Sequence, residues 1–88
     1  MKKITATNLK RRICKELRKQ YHTGIFTFLV LHKDDAGLKE YSIQTIQSCL
    51  SETGSVSFPI LKKLAEFLKL EIEQKVTLEK TTTLYIND

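Results

Sequence analysis

The sequence has no tryptophan, one proline and three glycines in 88 residues. Collagen-like, proline-rich and glycine-linker architectures are therefore excluded. It has two cysteines, Cys14 and Cys49, with no CxxC pair. That spacing matches no structural zinc site, and two thiols make no disulfide scaffold. No run of 18 apolar residues exists, and no apolar leader follows Met1, so a membrane span and secretion are not expected. Reduced thiols in a cytoplasmic protein are the expectation, with Cys49 buried. Glycine-rich phosphate loops, nucleophile elbows and Walker motifs are also missing. His22 and His32 have no carboxylate or cysteine at a ligating spacing and read as surface or loop residues. Asp34-Asp35 is an adjacent pair that suits a turn or a helix start. An enzyme is not expected, and no cofactor or metal is implied.

What is present is an uneven charge. The formal net charge is +5. Residues 1–22 hold Lys2, Lys3, Lys10, Arg11, Arg12, Lys15, Arg18 and Lys19 against Glu16 alone, whereas residues 23–88 hold seven basic and nine acidic side chains. A cationic end on a near-neutral body points to a polyanionic partner, of which nucleic acid is the commonest. The competing interpretation is a solvated, lysine-rich helix face. A chain of this length makes one domain, 1–88, with a small core, so self-association is the natural supplement.

Hydrophobic spacing divides the chain. Leu9, Ile13 and Leu17 make one stripe of a helix over 7–21, capped by Thr7 or Thr5 and ended around His22-Thr23-Gly24. Residues 25–31 are a short apolar run whose composition suits a strand, although Thr27 can cap a short buried helix. Residues 42–51 read as a helix with Ser42 as N-cap and Tyr41 and Ile46 as a hydrophobic staple. Leu61, Leu64, Ala65 and Leu68 give the core face of a helix over 58–69, with Ser57 as cap and Pro59 in its first turn. From 75 to 86 the period changes to two, with Val76, Leu78, Thr82, Leu84 and Ile86 on one side, which predicts a strand. A lone strand is unstable. It must pair with 25–31, fold into a hairpin near Lys80-Thr81, or pair with another copy.

The segment 42–51 carries no charge in a protein that is 28% charged. Its outward face is Gln44, Gln47, Ser48 and Ser51. Solvated helix faces favour Lys, Glu and Arg, which form helix better than Ser or Thr. Short neutral donors and acceptors suit base edges in the DNA major groove, where Gln pairs with adenine and Ser or Thr meets base or phosphate. A polar face with no role is the competing interpretation.

Ser42-Ile43-Gln44-Thr45-Ile46, Gly54, Pro59 and the run from Leu61 to Leu70 together resemble the Cro/repressor-type (XRE-like) helix-turn-helix family. The resemblance covers about residues 41–72. It implies a mainly α fold of four or five helices, with 43–51 as the recognition helix and 25–34 as the helix before it. It also implies binding to palindromic double-stranded DNA as a homodimer, with 75–88 as a C-terminal strand or dimerisation arm. By position, Gln44, Thr45, Gln47 and Ser48 would read bases. Ser42, Lys39 and Tyr41 would meet the backbone, and Lys10, Arg11, Arg12, Lys15, Arg18 and Lys19 would supply counterion release. The connection 35–41 is longer than the family's tight turn. The implied function is a small transcription regulator. A protein-interaction module, antitoxin-like or adding its strand to a partner's sheet, is the alternative. An RNA-binding module ranks last, because it wants exposed sheet aromatics and only Tyr85 is available.

Overall fold

The computed structural model describes residues 1–87; Asp88, the last residue of the expected arm, lies outside the described residues. The first helix, α1, is Ala6–Tyr21. Thr5 caps it by accepting the Asn8 N–H at 3.1 Å, which satisfies one of the orphan donors of the first turn. His22 ends it in the left-handed conformation at φ 55°, its N–H closing on the Arg18 carbonyl. Leu9, Ile13 and Leu17 are fully buried. Burying each such side chain is worth about 1.5–3 kcal/mol.

The apolar run forms α2, Ile25–His32. Its N-cap is Gly24, with no side-chain bond, rather than Thr27. Phe28 and Leu29 enter the core. Phe28, Tyr21, His32 and Phe67 stack as a four-ring cluster with centroids 5.0–6.1 Å apart. His32 is therefore half-buried among rings and not a surface histidine. α3 is Ile43–Leu50 and α4 is Phe58–Phe67. Between α2 and α3 the chain needs ten residues. Ala36 and Leu38 bury their side chains there, and Gly37 takes a φ of 77° that favours glycine.

The expectation of a mainly α fold with one C-terminal strand is overturned. The fold is α+β, with four helices and a three-stranded antiparallel sheet among the described residues. The strands are β1 (Lys2–Ile4), β2 (Glu71–Val76) and β3 (Thr82–Asn87), in the order β1-β3-β2. Register pairs Ile4 with Leu84 and Ile72 with Ile86. Ile72, Leu84 and Ile86 are buried on one face, with Ile4 packed beside them. Residues 75–87 are thus no free arm. They hold the end of β2, a turn and β3, and β3 is paired on both sides within the chain. It pairs neither with 25–31, which is helical, nor outward across a dimer. The turn is closed by Lys80 N–H to the Thr77 carbonyl and Thr77 N–H to the Thr81 carbonyl. Val76 and Leu78, expected on the apolar side, are exposed near its tip.

β2 lies at the sheet edge, and a cation guards it. Lys62 of α4 donates Nζ to the Ile72 carbonyl at 2.7 Å. Such inward-reaching charge is a common way to blunt an edge strand. Among the described residues, no helix is long and apolar enough to cross a membrane.

Candidate nucleic-acid interface

α3 is built by its cap and by its buried side. Ser42 Oγ accepts the Thr45 N–H at 3.1 Å and shares a hydroxyl hydrogen bond with Thr45 Oγ1 at 2.8 Å. Ile46, Cys49 and Leu50 are buried. The Cys49 thiol reaches the Ser57 carbonyl at 3.7 Å and ties α3 to the start of α4. The opposite side exposes Gln44, Thr45 and Ser48, whereas Gln47 is half-buried. This surface presents amides and hydroxyls and no charge. The shared bond between Ser42 and Thr45 commits part of both hydroxyls, which leaves the Gln44 amide as the group with most free donors and acceptors.

The last turn of α3 depends on a residue far away in sequence. Lys10, expected among the phosphate-facing cations, is instead only 2% exposed. Its Nζ donates to the carbonyls of Ser51 at 2.8 Å and Gly54 at 3.1 Å. A cation at a helix C-terminus satisfies orphan carbonyls and complements the helix dipole. Gly54 is required next to it, because a Cβ there would lie 1.8 Å from the Ser48 carbonyl oxygen.

Two further lysines hold the segment that leads into α3. Lys33 Nζ donates to the Lys39 and Tyr41 carbonyls at 3.3 and 2.7 Å. Lys63 Nζ donates to the Gly37 carbonyl at 2.9 Å, meets Glu40 at 3.3 Å, and sits 5.9 Å from the centre of the Tyr41 ring. Lys39 itself is exposed and Tyr41 is half-buried. Sequence reasoning missed the positioning roles of Lys10, Lys33 and Lys63. For Lys10 a signal existed, since it stands three and seven residues from Ile13 and Leu17, on the flank of the buried stripe.

The other α1 cations divide between two surroundings. Arg12 is half-buried and bonded to Glu16 at 2.7 Å. The Gln20 amide also donates to Glu16, and to the Leu68 carbonyl, both at 2.8 Å. These bonds from Gln20 and then Arg12 hold the Glu16 carboxyl below its ordinary range. Arg11 is exposed and pairs with Glu52 at 2.6 Å; the hydrogen bond and the charge of Arg11 lower Glu52 likewise. Lys15, Arg18 and Lys19 are exposed. The fold brings Arg11, Lys15 and Arg18 to one groove against Leu50 and Glu52, at the C-terminal end of α3. Gln44 and Thr45 stand at its other end. Eight helical residues separate the two ends by about 12 Å.

Other chemistry finds little support. Cys14 and Cys49 are free thiols. Burial pushes the Cys14 thiol up, only partly opposed by Arg18, which disfavours the nucleophilic thiolate. Asp34 and Asp35 lie exposed in the turn after α2. Among the described residues, no group of three His, Cys, Asp or Glu side chains is placed to hold a metal. Compared with family models, curated proteins and solved structures, the chain matches none.

Proposed function

We propose that this chain is a sequence-specific double-stranded DNA-binding protein, a small cytoplasmic transcription regulator that acts as a homodimer and has no enzymatic activity. One observation carries the proposal: α3 is a short, firmly seated helix whose exposed side offers Gln44, Thr45 and Ser48 and no charge. In this reading Gln44 reads an adenine edge, Thr45 and Ser48 make shorter contacts, and Gln47 contributes only its accessible part. The groove cations Arg11, Lys15 and Arg18 supply backbone affinity. Its kinship with Cro/repressor-type regulators rests on the motif in residues 41–72.

Selection from random duplex DNA, with the bound pool sequenced, tests the proposal. The expected result is a palindrome with half-sites about one helical turn apart, roughly 34–36 Å. A pool without enriched sequence contradicts it.

A second reading, a protein-interaction module, is favoured by α2. Phe26, Val30 and Leu31 are 58%, 57% and 63% exposed on its outer side, and a helix apolar all round normally finds a partner. Addition of a strand to a partner's sheet is less favoured, since β3 is central and Lys62 covers part of the β2 edge. This reading predicts a co-purifying protein and no shift of duplex DNA at physiological salt.

A further inference from the structure

The groove beside the C-terminal end of α3 has a volume of about 420 Å³, and its lining includes Lys10, Arg11, Lys15, Arg18, Leu50 and Glu52. Arg11, Lys15 and Arg18 stand at i, i+4 and i+7, so they form one cationic wall. Glu52 is the single acidic side chain in that lining, and its carboxylate sits 2.6 Å from Arg11 Nε. Backbone carbonyls at a helix C-terminus ordinarily repel an anion. Here Lys10 covers the carbonyls of Ser51 and Gly54, so the approach is open to negative charge.

We infer that this groove seats a backbone phosphate of duplex DNA, and that the Glu52 carboxylate occupies its Arg11 end in the free protein as a built-in competitor. The inference rests on the DNA-binding proposal above and adds a regulatory element to it. Carboxylate and phosphate present similar oxygens to a guanidinium, and the phosphate is the stronger partner. The Arg11–Glu52 pair is solvent-exposed on both sides, and exposed pairs are weak enough to exchange. Displacing Glu52 taxes every DNA sequence equally. Glu52 therefore lowers affinity for every duplex by the same factor and leaves the ratio of specific to non-specific binding unchanged, so it sets how much of the protein is held on DNA at a given salt concentration.

The test measures binding of the full chain to a labelled mixed-sequence duplex by fluorescence anisotropy over a range of KCl. Glu52→Gln should bind about threefold to fivefold more tightly. Its plot of log affinity against log salt should keep the wild-type slope, because the same phosphate is seated once Glu52 has moved. Glu52→Ala should move the same way. Arg18→Gln should make the plot shallower by about 0.9. Glu73→Gln, the same change of charge on the exposed outer side of β2, should leave the affinity close to wild type. If wild type binds duplex DNA but Glu52→Gln behaves like Glu73→Gln, the competitor role is overturned and the DNA-binding proposal stands. If neither wild type nor Glu52→Gln binds any duplex at low salt, the DNA-binding proposal itself is overturned.

Discussion

Helices α1 and α3 meet where Lys10 and Arg11 reach the segment just past the end of α3, yet they are built on opposite terms. α1 runs 16 residues, carries Lys10, Arg11, Arg12, Lys15, Arg18 and Lys19, and buries a regular apolar stripe. Its long side chains are good helix formers. α3 has eight residues and no charge, and its exposed Ser and Thr weaken helix propensity. Such a short helix does not hold itself together in water. It stands because Ser42 caps its start, three side chains anchor its inner face, and Lys10 of α1 closes its end. The neutral face is thus maintained by its neighbours, and α1 both presents charge outward and turns one cation inward.

Removing the anchor should have the largest effect. Ile46→Ala should destabilise the fold by about 2–5 kcal/mol, read by chemical denaturation. A cost under 1 kcal/mol would mean that α3 is not held from below. Lys10→Met keeps the apolar stem and deletes the ammonium. It should cost about 1.5–3 kcal/mol by leaving two carbonyls unsatisfied, with amide exchange rising first in residues 47–54. An unchanged denaturation midpoint would break the link between the two helices. Ser42→Ala should cost about 1 kcal/mol and fray the start of α3, seen as faster exchange of the Thr45 amide.

The smallest effect concerns α1 alone. The Glu16 carboxyl is held below its ordinary value of 4.5. A depressed carboxyl contributes stability that is present above its unfolded value and lost as pH falls through the folded one. Glu16→Gln should therefore melt slightly below wild type at neutral pH, and the gap should close well below pH 4.5. A gap that widens in acid would show the sign to be wrong.

Local signals were legible where periodicity or a cap was strong. The stripe Leu9-Ile13-Leu17, the Ser42 cap and the face Leu61-Leu64-Ala65-Leu68 all mark helices that the fold contains. The sheet was legible only in part: the alternation through Thr82, Leu84 and Ile86 marks β3, and the hairpin near Lys80-Thr81 is the pairing it adopts with β2. β1 is three residues long and has no room for a period. β2 is an edge strand that buries Ile72 and exposes the rest, so it shows no alternation. Val76 and Leu78 carry the period of a buried face but lie past the point where the helices cover the sheet. At the candidate site, exposure of Gln44 and Ser48 follows from helical spacing. For Lys10 helical spacing marks only its place on the flank of the buried stripe; its partners are not readable, because the acceptors lie more than forty residues away. Arg11 and Glu52 are likewise joined only by the tertiary fold.

Under the proposed function, the neutral side of α3 reads bases. Selecting random duplex DNA with wild type and with Gln44→Ala in parallel tests it most directly. The variant should still bind duplex DNA with the same salt slope but lose preference at one base pair of each half-site, by about 1–3 kcal/mol. An identical enriched sequence from both proteins would contradict it.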